Sequence, residues 1–240
     1  MQDAVRGWIG EARHIAVLTG AGMSAESGVP TFRDAQTGLW SQFNPQDLAT
    51  EAAFRAHPQR VWDWYVHRRE MIADVQPNAG HRALASFAKR HPGRLTVITQ
   101  NVDGLHQCAG NADTLALHGN IAEDQWLDRP RSCCSAGAIV ADRPPRCAVC
   151  GNLRRPAVVW FGESLPTAAF QAAEYAARHC DLMLVIGTSG EVYPAAGLAF
   201  TAHQSGARVV VINPEPTPLD VVADLRLQTP AAVCLPGLLA

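Results

Sequence analysis

Short apolar runs punctuate the chain at near-regular intervals, each bounded by polar or glycine-bearing turns. Ile15–Leu18, Leu95–Thr99, Val158–Trp160, Leu182–Gly187 and Val209–Asn213 suit buried strands, with shorter candidates at Thr114–Leu117 and Leu225–Leu227. Pro166–His179 and Ala195–Ser205 are Ala-rich with helical spacing, and Gly206 stands where the second helix should stop. Strands alternating with helices predict an α/β fold, a parallel sheet covered on both faces. Two stretches break the alternation. Pro45 to Asp74 reads as helices carrying Trp62, Trp64 and Tyr65 with no strand between them. Trp126 to Pro156 is rich in Pro, Arg and Cys and has almost no apolar periodicity. Both read as insertions that together build a second, smaller lobe.

With 240 residues, 48% of them hydrophobic, the chain can bury one substantial core and a small satellite. The net charge is −2 with both signs interspersed, which leaves no electrostatic footprint for direct nucleic-acid or anionic-membrane binding. The longest apolar runs are too short to span a bilayer. The opening MQDAVRGWIGEAR lacks the basic start and apolar block of a secretory signal, so a cytoplasmic location is expected. Four of the seven cysteines fall between Cys133 and Cys150, which suits a metal module in a reducing compartment better than a disulfide scaffold.

The densest chemistry follows the first predicted strand, in GAGMSAESGVPTFR from Gly20 to Arg33. Gly20 and Gly22 permit a tight turn and close backbone approach to a ligand. Gly20 to Ala25 also satisfies the loose dinucleotide fingerprint, but Pro30 interrupts any long phosphate-capping helix. No acidic residue stands about twenty positions on to hold a ribose, so a hydride-transferring dehydrogenase is disfavoured. After Leu95–Thr99 come Gln100, Asn101 and Asp103, two amides and a carboxylate at the ligand end of a strand. Asp103 alone would pass for a helix cap; three such residues together point to a ligand. His118, in Leu117-His-Gly-Asn120, also ends a strand-like run, and histidine is the side chain best placed to move a proton near neutral pH. Gly187, Thr188 and Ser189, and Asn213, occupy the same position after two further strands.

Taken in order, GAGMSAESGVPTFR, TQNVDGLH, LHG, the Cys147-x-x-Cys150 pair, VVWFGE and GTSGEVYPAAG follow the order and spacing found in sirtuins. The chain resembles that family over nearly its whole length. The resemblance implies an NAD-dependent protein-lysine deacylase. It also implies a Rossmann-like domain from residues 1–33, 75–118 and 157–240. The small lobe would combine a helical module at 34–74 with a zinc-type module at 119–156. By position, Gly20, Ala21, Gly22, Phe32 and Arg33 correspond to the cofactor loop. Gln100, Asn101 and Asp103 correspond to the ribose and nicotinamide pocket, with Asn101 and His118 catalytic and His118 the general base. Gly187, Thr188, Ser189 and Asn213 would meet the phosphates and adenosine ribose, and Ala232 would close over adenine. In the implied reaction nicotinamide leaves, the acyl oxygen attacks the ribose, and His118 deprotonates a ribose hydroxyl. The products are free lysine, nicotinamide and O-acyl-ADP-ribose. Phe32 would act in a lid that excludes water. Val159, Phe161, Gly162 and Glu163, with Val192, would flank an acylated lysine substrate that adds by backbone pairing.

Tyr65 and Arg68 lie three apart on a predicted helix and so share a face. Sirtuins that prefer succinyl, malonyl or glutaryl lysine carry this Tyr-x-x-Arg pair, and the surrounding Asp47-Leu-Ala-Thr50 and Arg68-Arg-Glu70 also resemble that subgroup. An arginine fork with a phenol as second donor suits a distal carboxylate. Two features depart from the family. Its first Cys-x-x-Cys pair is missing: Trp126 stands near one expected cysteine, while Cys133 and Cys134 are adjacent. Zinc held by some of Cys133, Cys134, Cys147 and Cys150 and an empty module packed on Trp126 both stay open. Glu191 stands where an apolar residue is usual. Mono-ADP-ribosyl transfer or NAD hydrolysis is the alternative within enzymes, and a catalytically silent NAD sensor the alternative outside them.

Overall fold

The structure, a computed structural model, describes residues 1–31, 45–134 and 139–240. In chain order the strands are β1 (Ile15–Thr19), β2 (Leu95–Thr99), β3 (Leu115–Ala116), β4 (Gly119–Trp126), β5 (Ile139–Val140), β6 (Arg146–Cys147), β7 (Arg154–Val158), β8 (Leu182–Ile186), β9 (Arg208–Ile212) and β10 (Leu225–Leu227). The helices are α1 (Gln2–Glu11), α2 (Glu51–Ala56), α3 (Pro58–Ala73), α4 (Ala79–Arg90), α5 (Leu105–Cys108), α6 (Thr167–His179), α7 (Gly197–Gln204) and α8 (Ala231–Leu238). Six strands form one parallel sheet in the order β10-β9-β8-β1-β2-β3. The parallel sheet covered on both faces that the alternation predicts is present, and with it the Rossmann-like fold that the resemblance implies.

Period-2 burial explains how one sheet carries two cores. Ala16, Leu18, Met183, Val185, Val209 and Val211 face the small residues of α6 and α7, among them Ala173, Ala177, Ala199 and Ala202. Ile15, Val17, Leu184, Ile186, Val210 and Ile212 face α1, α4 and α8 through Val5, Ile9, Leu84, Phe87 and Leu235. A third cluster lies apart from both. Phe54, Val61, Trp62 and Tyr65 of the helical stretch pack on Ile121, Val158 and Trp160.

The sequence expectation and the structure differ at Val158–Trp160. The strand runs over Arg154–Val158 and pairs antiparallel with β4, outside the main sheet. Beyond it, Val159 N–H donates to the His118 carbonyl at 2.9 Å and Phe161 N–H to that of Ala49 at 2.9 Å. Strand β4 was not expected, because Ile121 is its one buried residue and its register shifts between Asn120 and Asp124. Gly119, at its start, has a φ of 80°, and a Cβ there would stand 2.1 Å from the Ala157 carbonyl. Only glycine lets the chain turn out of the sheet there, directly after His118. Among the described residues, no helix is long and apolar enough to cross a membrane.

Candidate active site

The chain moves outward from β1 to β2 and β3, then returns to the other side of β1 for β8, β9 and β10. A switch point therefore lies between β1 and β8, at the carboxyl ends of the strands, where open α/β sheets bind ligands. Here the loops after these two strands interlock. Gly20 N–H donates to the Ile186 carbonyl at 3.0 Å, Gly22 N–H to the Gly187 carbonyl at 2.8 Å, and Gly187 N–H to the Ile212 carbonyl at 3.0 Å. A Cβ on Gly22 would meet the Gly187 Cα at 2.8 Å, and one on Gly187, whose φ is 59°, would meet the Met23 nitrogen at 2.4 Å. Two 3-10 turns, Ala21–Met23 and Ala25–Ser27, then carry the chain to Gly28, so helical structure ends before Pro30 is reached. Phe32 and Arg33 lie outside the described residues.

Neighbouring strand ends bring the other expected cofactor residues to this crevice. Gln100 Nε2 donates to Thr188 Oγ1 at 3.0 Å, which also accepts from Gly190 N–H at 3.3 Å, while Ser189 is half-buried beside it. Asn213 follows β9 and donates through Nδ2 to the Glu215 carbonyl at 2.7 Å. Ala232 N–H, in the first turn of α8, donates to Glu26 Oε2 at 2.6 Å. Glu26 went unnoticed in the sequence, where it reads as one more exposed acid.

Beneath the crevice is a buried polar cluster that the sequence revealed only in part. Ser24 Oγ donates to Asp103 Oδ2 at 2.7 Å and accepts from Asn101 Nδ2 at 3.1 Å, with His81 Nε2 at 3.5 Å. Asp103 Oδ1 accepts from Leu105 N–H at 2.9 Å, so this carboxylate both caps α5 and serves the cluster. His81 is held by a capping box with Asn78 at the start of α4, and Asn78 Nδ2 also donates to the Met23 carbonyl at 2.8 Å. Its ring meets that of His106, 4.8 Å away, and His106 Nε2 lies 3.0 Å from Thr19 Oγ1. Burial holds both imidazoles neutral, His81 down to about 4 and His106 down to about 3. Asn78 preceding His81 by three was the available signal, a capping box at a helix start.

His118 is half-buried and its Nδ1 lies 2.9 Å from the Gln100 carbonyl. A carbonyl can only accept, so Nδ1 carries the proton and Nε2 presents a lone pair. Desolvation lowers the His118 pKa from its ordinary value, opposed by the Gln100 hydrogen bond. The ring is therefore neutral and basic at physiological pH.

On α3, Tyr65 is buried and its hydroxyl accepts from Trp160 Nε1 at 2.9 Å. Arg68 is half-buried with its guanidinium 5.0 Å from the centre of the Trp64 ring. Burial lowers the Arg68 pKa, and the fields of Tyr65 and Asp103 oppose that shift. Val159 is half-buried, whereas Phe161, Gly162 and Val192 are exposed. The Glu163 carboxylate pairs with both terminal nitrogens of Arg155, one at 2.9 Å, and accepts from Trp160 N–H at 2.8 Å. Glu191 is exposed.

The four clustered cysteines converge: the sulfurs of Cys133, Cys134, Cys147 and Cys150 all lie within 4.8 Å of one another. Zinc bound by thiolates at about 2.3 Å in a tetrahedron sets its sulfurs roughly 3.8 Å apart. Cys134 and Cys150 sulfurs are 3.6 Å apart, close to that spacing, so the donor set fits a structural zinc. Backbone N–H groups of Cys150 and Val149 lower the Cys147 thiol, whereas the hydrogen bond to Cys150 and burial push the Cys133 thiol up to about 12, so the thiols of this cluster do not ionise alike. The adjacency of Cys133 and Cys134 does not keep their sulfurs apart.

A family model described as Sir2 family matches residues 20–194. An NAD-dependent protein deacylase of Ralstonia nicotianae is 58% identical over 235 residues, covering 98% of this chain and 94% of that protein. The crystal structure of a Sir2 homolog–NAD complex superposes with a TM-score of 0.88 at 40% identity, covering 100% of this chain and 93% of that one. A Sir2–p53 peptide–NAD+ complex superposes with a TM-score of 0.84 at 32% identity, covering 98% and 95%.

Proposed function

This chain belongs to the Sir2 family, and from that premise we propose that it consumes NAD to remove acyl groups from lysines of protein or peptide substrates. Succinyl, malonyl or glutaryl groups are taken in preference to or alongside acetyl. The observation that carries the reading is the junction of two groups at the strand ends: the basic Nε2 of His118, whose Nδ1 is held by the Gln100 carbonyl, and the Ser24–Asp103–Asn101 cluster that follows Gln100 directly in the chain.

Bound there, NAD would supply a ribose carbon made electrophilic by loss of nicotinamide. Ala21, Thr188 and Ser189 offer backbone N–H groups and hydroxyls for the phosphates, while Gly20, Gly22 and Gly187, whose own N–H groups lock the loops together, let the backbone approach them; Asn213 and Ala232 lie toward the adenosine. Phe32 and Arg33 complete the reading as the lid over the site. Asn101 and Asp103 fix the nicotinamide ribose through Ser24. His118 takes the proton of a ribose hydroxyl at Nε2, while the Gln100 carbonyl steadies the imidazolium that results. The segments around Val159–Glu163 and Val192 pair with the substrate backbone. Tyr65 and Arg68 receive the distal carboxylate as a phenol donor and a guanidinium fork. Zinc at the four cysteines is structural and takes no part in the chemistry. A cytoplasmic location belongs to the reading, since such a thiol cluster needs a reducing compartment.

The test is NAD-dependent turnover of matched succinyl- and acetyl-lysine peptides by the parent and by Arg68→Met. The parent should favour the succinyl peptide, and the variant should lose that preference by about tenfold or more, the worth of one charge-assisted hydrogen bond. A variant with the parent's succinyl preference would remove Arg68 from the account.

A further inference from the structure

Resting on the reading that sets Ala232 toward the adenosine of NAD, we infer that Glu26 is a positioning residue for the cofactor. Its carboxylate ties the loop after β1 to the start of α8, so that one turn of chain holds both the adenosine wall and the Ser24–Asp103–Asn101 cluster.

Both ends of the tie lie at the ligand edge of the sheet. Glu26 follows the carboxyl end of β1 and α8 follows that of β10, with the ends of β8 and β9 between them. Leu227, the last residue of β10, accepts from the Asn213 N–H at 3.1 Å, so the chain leading into α8 starts beside the Asn213 end of the crevice. Helix α8 needs an acceptor there. Its first N–H groups have no partner within the helix, and Pro230, which precedes it, has no side-chain oxygen to offer. Glu26 Oε2 accepts from the Ala232 N–H at 2.6 Å, a cap supplied from 206 residues away. The carboxylate also meets the positive end of the helix dipole.

The same stretch of chain faces two ways. Glu26 is exposed in the 3-10 turn Ala25–Ser27, whereas Ser24, two residues before it, is buried and holds Asp103 and Asn101. The turn is tightly knit: Ser27 N–H donates to the Ser24 carbonyl at 3.0 Å and Gly28 N–H to that of Ala25 at 2.9 Å. Beside it, Met23 lies in the same apolar cluster as Ala231, Cys234 and Leu235 of α8. Apolar contact brings the loop and the helix together but is not directional, whereas a short charge-assisted hydrogen bond fixes both distance and direction. A shift of α8 is therefore passed to Ser24 through two residues of chain. Adenosine held against Ala232 then helps to set the groups that fix the nicotinamide ribose, and binding at the unreactive end of the cofactor serves the reacting end.

Steady-state kinetics of Glu26→Ala and Glu26→Gln, with the acyl-lysine peptide that the parent turns over fastest, separate positioning from folding. Glu26→Ala should raise the NAD KM about tenfold, the worth of one charge-assisted hydrogen bond, while the peptide KM stays within about threefold. AMP, which carries only the adenosine end, should weaken by a similar factor as a competitor of NAD. Glu26→Gln has the same length and still accepts from the Ala232 N–H, so its NAD KM should stay within about threefold of the parent's. An unchanged NAD KM or unchanged AMP inhibition in Glu26→Ala, an equal rise in both KM values, or a Glu26→Gln as impaired as Glu26→Ala would overturn the inference. Ala232→Phe tests the reading beneath it. An NAD KM unaltered by that bulk removes Ala232 from the adenosine wall and takes this inference with it. If Ala232→Phe raises the NAD KM and Glu26→Ala does not, the inference alone falls.

Discussion

His118 keeps its Nδ1 proton against the Gln100 carbonyl, and burial lowers its pKa. A base acts in its neutral form, so kcat/KM should rise with pH through a value below the usual histidine range of about 6.5 and then level off. A pH–rate profile with its acid limb centred above 7 would contradict this assignment. His118→Ala should lower turnover by about a hundredfold or more, the usual worth of a general base. Ser24 carries three contacts of the buried cluster. Ser24→Ala would leave the Asp103 carboxylate and the Asn101 amide short of a partner, an expected loss of about 1–3 kcal/mol in transition-state stabilisation. Comparing kcat/KM for NAD in the variant and the parent measures it. His118, Asn101 and Asp103 stood out in the sequence because polar residues crowd behind strand-like runs there, and the structure joins Asn101 and Asp103 through Ser24. Ser24 and His81 did not. A serine among small residues and a histidine on a helix fit the bland reading until tertiary packing brings them together.

At the scale of elements, the interlocked loops after β1 and β8 leave no room for a Cβ. Gly187→Ala would place a methyl 2.4 Å from the Met23 nitrogen at a left-handed φ of 59°, so one loop must move. The expected cost is about 2 kcal/mol or more, read as a lower Tm together with weakened NAD binding. An unchanged Tm would contradict the interlock. The cysteine knuckle makes a separate prediction. Protein purified without added zinc should carry about one zinc per chain, and Cys147→Ser should lose most of it by metal analysis. Strands β2 and β10 fall where the apolar runs place them, since both lie in the one parallel sheet that such runs describe. Strand β4 escaped because Ile121 is its one buried residue, and a polar stretch of that kind reads as a loop. Cys133, Cys134, Cys147 and Cys150 were all candidates from the sequence, and what it left open was whether they converge, because spacing carries no information on how a turn points two adjacent sulfurs.

The whole molecule carries two buried neutral histidines, and they set its response to acid. His81 is held down to about 4 and His106 to about 3 by desolvation, whereas in the unfolded chain each titrates near 6.5. Below that pH the unfolded state binds protons that the native interior refuses. The native state is therefore at full stability above about 6.5 and loses it progressively as pH falls toward 4, by roughly 1.4 kcal/mol per pH unit for each histidine. Urea unfolding across pH 4–7 should show this slope, and His106→Asn should flatten it; a slope unaltered by that change would remove His106 from the cause. The two-layer core and the strand ends that frame the site follow from apolar periodicity, while the buried cluster depends on contacts between residues far apart in sequence. The central claim is that the crevice between β1 and β8 transfers an acyl group from lysine to the ribose of NAD. Mass spectrometry of one reaction, with NAD and a succinyl-lysine peptide, reads all products together. Equal amounts of nicotinamide, free-lysine peptide and O-succinyl-ADP-ribose are predicted for the parent, and none for His118→Ala. Free ADP-ribose beside a peptide that is still acylated, or ADP-ribose attached to protein, would contradict it.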